Sequence, residues 1–180
     1  MKWLKRVLAV LVSLPALAAA LLYLAGQREE AGRCSATVDV ARPASAVFRY
    51  FADEKLLSQW TGLTVTDSEG KPWLRPGGRS LISDEARGRR TQLECEVGTL
   101  DAGRSFSLVL KSLPGTKLGF EQHVDYSLQE QRGGTRVAVR TATRYEGAVL
   151  RLLEPLATGA TCRQLQQRLD SLKSRAEAEP

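Results

Sequence analysis

The sequence predicts an α+β chain in which one curved antiparallel sheet wraps around a long C-terminal helix, preceded by a single N-terminal transmembrane or signal helix. Three observations lead there. An uncharged apolar run follows a basic start. Between Cys34 and Tyr145 strand-like segments alternate with glycine- or proline-rich breaks, interrupted once by two short helical patterns. After Glu146 and Gly147 the apolar spacing becomes helical again.

The opening segment, MKWLKRVLAVLVSLPALAAALLYLAGQREE, carries no charge from Val7 to Gly26, about the 20 residues that a bilayer crossing requires. Trp3 and Tyr23 stand near its two ends, where amphipathic rings favour the headgroup zone. The competing reading is a cleaved signal, with Ala16-Leu17-Ala18 as the small-residue site. Cleavage there leaves AALLYLAG at the new start, still apolar, which favours an uncleaved anchor. Residues 1–26 are therefore read as membrane anchor or signal, 27–33 as a linker and 34–178 as the folded domain. The cations Lys2, Lys5 and Arg6 set the N-terminus in the cytoplasm and the domain outside it: periplasmic in a Gram-negative envelope, or secreted if the signal is removed. The linker QREEAGR spans roughly 25 Å at full extension, so an anchored domain stays at the membrane surface.

CSATVDV alternates and reads as a strand. Pro43 suits the first turn of a helix, where its missing N–H costs nothing. Val47, Tyr50 and Phe51 share one face of that helix, and Leu56, Leu57 and Trp60 repeat the spacing in a second. The strand-like runs GLTVTDS, RSLIS, RTQLECEVGTL, RSFSLVLKS, KLGFEQHVDYSLQE and TRVAVRTATRY follow, and the breaks PGG, DAG, LPGT and QRGGT supply the positive φ of tight turns. Short turns between consecutive strands make an antiparallel meander. Cys162, Leu165, Leu169, Leu172 and Ala176 then form one stripe of a long helix whose start is weakened around Pro155 and Gly159.

At 180 residues, 43% hydrophobic and 26% charged, the chain holds one globular domain. The net charge of +6 includes the three leading cations; without them 23 basic and 20 acidic side chains leave +3, too little for a nucleic-acid partner. The cluster ARGRR at 86–90 reads as a solvated hairpin tip. Three cysteines, Cys34, Cys95 and Cys162, lack metal-ligand or redox spacing, and one disulfide remains open for a domain in an oxidising compartment. No phosphate loop or GxSxG elbow occurs, so no cofactor or metal is expected and no catalytic residue is assigned. No feature sets an oligomeric state.

Side-chain alternation sorts the strands into two faces. Phe106, Leu108 and Leu110, then Leu118, Phe120, Gln122, Val124, Tyr126 and Leu128, then Val137, Val139, Thr141, Thr143 and Tyr145 face inward. Glu121, His123, Asp125, Arg136, Arg140 and Arg144 face outward, which puts the single histidine on the wrong side for catalysis. These inward faces offer no carboxylate, lysine or arginine for acid–base work, only hydroxyls and an amide. Apolar walls with a few such groups describe a pocket for a lipophilic molecule, or equally a filled core.

Three stretches resemble the START-like (SRPBCC) superfamily of helix-grip proteins, which includes polyketide cyclase/dehydrase and lipid-transport proteins: VDVARPASAVFRYFADEKLLSQW, GGTRVAV and LQQRLDSLKSRAEAE. The resemblance spans residues 34–178 and implies a cavity between sheet and C-terminal helix. The expected function is membrane-tethered, non-catalytic binding or transfer of a hydrophobic small molecule such as a lipid, isoprenoid or quinone. Its contacts are expected at Phe106, Leu108, Phe120, Gln122, Val124, Tyr126, Thr141 and Tyr145, with Trp60 either a contact or a plug of core at one end. The alternatives are a cyclase/dehydrase-type enzyme using inward tyrosine and glutamine, and a protein-docking or stress module on the same fold.

Alkaline extraction of membranes should leave the full-length chain in the pellet. Release into the soluble fraction with a new N-terminus near residue 19 identifies the cleaved form instead.

Overall fold

A computed structural model describes residues 32–66, 71–86, 89–116 and 119–179, together with Leu17, Ala20, Leu21 and Leu24. Those four are helical and exposed to solvent; the rest of the expected Val7–Gly26 span lies outside the described residues. Among the described residues no helix is long and apolar enough to cross a membrane.

Alternation in CSATVDV becomes β1 (Arg33–Val40), whose Cys34, Ala36, Val38 and Val40 are buried while the intervening residues are exposed. Two helices follow, α1 (Ala44–Ala52) and α2 (Glu54–Thr61). The meander then runs through β2 (Leu63–Thr66), β3 (Arg79–Ala86), β4 (Arg89–Asp101), β5 (Ser105–Ser112), β6 (Phe120–Gln131) and β7 (Gly134–Tyr145), and α3 (Ala148–Ala178) closes the chain. The seven strands form one antiparallel sheet in the order β1-β7-β6-β5-β4-β3-β2. Strands β1 and β2 thus occupy opposite edges, so the chain between them must cross the full width of the sheet. The pair α1–α2 makes that crossing and covers one end of the inner face.

Sequence and structure agree on every strand. The ARGRR cluster falls at the β3–β4 connection, where Ala86 pairs with Arg89 and the tip itself lies outside the described residues. One irregularity helps curl the sheet. The β4–β5 register shifts between Val97 and Leu100, and such a bulge sharpens local twist. Thr99 N–H donates to Ser107 Oγ at 2.9 Å inside it, and a Cβ on Gly98 would stand 2.6 Å from that oxygen, so a larger residue there must displace the Ser107 hydroxyl.

The α1–α2 corner explains Trp60. Asp53 ends α1 and caps α2, its Oδ1 accepting from Lys55 N at 2.8 Å and Leu56 N at 3.1 Å. A helix leaves its last carbonyls without intrahelical partners. Trp60 Nε1–H donates to the carbonyl of Tyr50, in the last turn of α1, at 2.9 Å, while its ring meets Phe51 edge-on at 5.2 Å. The indole fastens the second helix to the first.

The helix α3 begins at Ala148 and continues through Pro155 and Gly159, earlier than the weak start expected from those residues. Tertiary contacts override local propensity. Leu169, Leu172 and Ala176 are buried, as the stripe predicts. Arg42 Nε donates to the Ala176 carbonyl at 3.1 Å and Tyr50 Oη to that of Arg175 at 3.2 Å, so side chains from the β1–α1 end satisfy the helix terminus. At the other side of the same seam a disulfide joins Cys34 of β1 to Cys162 of α3 with the Cα atoms 5.4 Å apart; Cys95 is free and buried.

Replacing both Cys34 and Cys162 by serine should lower unfolding free energy by about 2–5 kcal/mol, because the bridge closes a loop with sequence separation 128. Trp60→Phe should cost about 1–3 kcal/mol by leaving the Tyr50 carbonyl unpaired. Urea titration of each variant measures both.

Candidate functional site

Inside the curl, α3 rests on β1 and touches β7, and a cavity of about 90 Å³ remains between the helix and the middle of the sheet. Strands contribute Leu63, Ile82, Phe106, Leu108, Leu110, Gln122, Val124, Tyr126 and Thr141 to its wall. The crossing helices add Phe51, Leu57 and Thr61, the β2–β3 connection adds Trp73, and α3 adds Thr161, Gln164, Leu165 and Arg168.

Pairing across strands explains the aromatic part of this wall. Phe106 and Tyr126 are register partners, and their rings stack at 4.7 Å. Phe51 packs against both from α1, at 5.2 Å and 5.1 Å. Of the expected contact residues, Phe106, Leu108, Gln122, Val124, Tyr126 and Thr141 are brought together here. Trp60 lies one ring behind the wall, against Phe51, and does not line the cavity. Phe120 and Tyr145 face each other at 6.3 Å as register partners at one end of the β6–β7 pair, also away from it. Alternation identifies a face, whereas the cavity occupies only part of that face.

The outward assignments hold. His123 Nε2 sits 2.9 Å from Glu121 Oε1 on the exposed face, and Lys111 Nζ lies 3.2 Å from the other oxygen. The His123 hydrogen bond, then that of Lys111, pulls the Glu121 carboxyl below its usual range. Arg136 grips Asp39 with two hydrogen bonds of 2.8 and 3.0 Å.

Strand alternation misses the charged pole of the cavity, because the cation comes from the helix. Arg168 lines the wall, and its Nη2 donates to Asp84 Oδ2 at 2.9 Å; Asp84 stands two residues from buried Ile82 on β3 and shares its face. The helical spacing Thr161, Leu165, Arg168 sets Arg168 beside the apolar stripe, but it encodes neither the cavity nor the Asp84 partner.

Polar groups on the wall are sparse and incompletely satisfied. Gln122 Nε2 donates to Thr143 Oγ1 at 2.9 Å. Thr141 Oγ1 and Trp73 Nε1 are buried with no hydrogen-bond partner among the described residues. Burial pushes the Tyr126 phenol up to about 12, with Arg168 opposing and Cys95 adding slightly. Burial also raises the Cys95 thiol to about 12 and lifts Tyr145 above its ordinary value, the latter helped by the charge of Glu154. No group of residues among those described could hold a metal ion.

A curled antiparallel sheet gripping a C-terminal helix over an interior cavity defines a helix-grip domain. The chain belongs to the family described as polyketide cyclase / dehydrase and lipid transport, which matches residues 31–177. Among solved structures it is similar to protein CV1439 from Chromobacterium violaceum, with a TM-score of 0.67 at 15% identity over 82% of this chain and 99% of that one. Protein Ms6760 from Mycobacterium smegmatis gives 0.66 at 22% identity over 85% and 95%. Ara h 8.0201 gives 0.61 at 11% identity over 80% and 96%. At these identities the likeness establishes the fold. No curated protein matches the chain.

The raised Cys95 and Tyr126 values carry a pH dependence with a definite sign. A group held protonated in the fold adds stability below its unfolded pKa, and that stability is lost as pH rises through the folded value. Stability should therefore fall between about pH 9 and 12, the window from the ordinary thiol value to the two raised ones. Combining Cys95→Ala with Tyr126→Phe should flatten that limb in melts taken across the range.

Proposed function

We propose that this chain is a membrane-tethered, non-catalytic binding or transfer protein that takes one end of a hydrophobic small molecule, such as a lipid, isoprenoid or quinone, into the cavity between sheet and α3. The observation that carries this reading is the wall itself: apolar and aromatic side chains interrupted by a few polar groups, two of them buried without partners among the described residues. Apolar lining with isolated orienting groups is the usual make-up of small-molecule sites. The volume limits what is enclosed. At about 90 Å³ the space is well below the roughly 300–1,000 Å³ of a drug-sized pocket, so it takes a ring or chain end rather than a whole lipid.

The disulfide supports an extracytoplasmic domain, since such bridges persist in oxidising compartments. It agrees with the orientation that the three leading cations imply, and a domain within a short linker of the bilayer exchanges a poorly soluble ligand without a long passage through water. Family membership supports hydrophobic ligand binding in general. The raised Tyr126 phenol argues against an enzyme that uses it as a base at neutral pH. A second reading, a protein-docking module with a vestigial cavity, is favoured by the small volume alone.

Native mass spectrometry of the full-length protein, gently extracted from its own membrane, should show a co-purifying lipophilic mass. Val124, buried on the wall between Gln122 and Tyr126, provides the structural control. Val124→Gln should fold, with its amide reaching the cavity or Gln122, and lose that mass. A variant that collapses in thermal melts, with no mass on the parent, instead indicates a filled core and supports the docking module.

A further inference from the structure

Resting on the binding function proposed above, we infer that the ligand's enclosed end carries a neutral hydrogen-bond acceptor, a carbonyl oxygen of the ketone, ester or quinone type, received by Arg168 and Tyr126. Arg168 has five N–H donors, and among the described residues only one finds a partner, at Asp84. Arg168 lines the cavity, and its other N–H groups have no protein acceptor among the described residues. Tyr126 lines the same wall, and its phenol stays protonated, and so able to donate, throughout the neutral range. Arg168 is close enough to influence that phenol electrostatically.

Charge selects among the candidate ends. Asp84 and Arg168 are each about one-quarter exposed, 25% and 24%, so their pairing is only partly screened by water. Together they present a pole of zero net charge on the cavity wall, with N–H groups on Arg168 beyond the one given to Asp84. An anionic end approaching Arg168 meets the Asp84 carboxylate, and a cationic end meets the guanidinium. A pure hydrocarbon strips water from the free donors and replaces it with nothing, which is the costly case for polar groups in a site. A neutral acceptor satisfies the donors without opposing either charge.

The test uses the full-length protein in detergent micelles, titrated separately at neutral pH with a medium-chain methyl ketone and with the carboxylate of matching length, bound fraction being read by native mass spectrometry. The wild type should bind the ketone at least about tenfold more tightly. Asp84→Asn keeps the side-chain shape but frees the charge of Arg168, and should move the ketone-to-carboxylate ratio about tenfold or more towards the carboxylate. Arg168→Met should weaken ketone binding about tenfold or more without admitting the carboxylate, since the Asp84 charge then stands uncompensated at the wall. A wild type that prefers the carboxylate, or an Asp84→Asn ratio equal to the wild-type one, overturns this inference while leaving hydrophobic binding in place. Binding of neither probe overturns the binding function as well.

Discussion

Along one edge of the sheet, the buried side chains of β1, Ala36, Val38 and Val40, join one core with Leu169, Leu172 and Ala176 of α3. Burying each of the two leucines contributes on the order of 1.5–3 kcal/mol, and the small Ala36 and Ala176 let strand and helix approach closely. Polar contacts fix the same seam: Lys173 Nζ donates to the Asp39 carbonyl at 2.8 Å, Ala41 N–H to Glu177 Oε1 at 2.8 Å, and the Cys34–Cys162 bridge ties its other end. Because the helix is held at this edge, it stands away from the middle of the sheet. The cavity is the geometric remainder of that off-centre attachment.

The crossing helices wall the remainder on one side. Since β1 and β2 lie at opposite edges, α1 and α2 must span the sheet, and in doing so they set Phe51 and Leu57 into the cavity wall. Trp60 serves that geometry from behind, by joining the two helices through the Tyr50 carbonyl. The Arg168–Asp84 pair links the helix to β3, on the side of the sheet remote from the seam. One small volume is therefore bounded by an aromatic floor and a polar pole, so its two ends differ chemically.

Much of the inner wall is legible in the sequence. Alternation along β5, β6 and β7 separates Phe106, Val124 and Tyr126 from His123 and Arg140 because a strand places successive side chains on opposite faces regardless of what it pairs with. The same rule says nothing about distance along the strand. Phe120 and Tyr145 share the inner face with Tyr126 yet meet each other at one end of β6 and β7, clear of the cavity.

The sequence alone determined the element order, the hairpin meander, the apolar stripe of α3 and the sidedness of β5, β6 and β7, all of which depend on local periodicity and turn chemistry. Only the tertiary structure decided which cysteines pair, how small the cavity is, and that Arg168 belongs to it. Those outcomes depend on where the helix lies across the sheet. Cys34 and Cys162 are separated by 128 positions and Asp84 and Arg168 by 84, and no local pattern encodes a contact at such range; side-chain packing along the β1–α3 seam sets it.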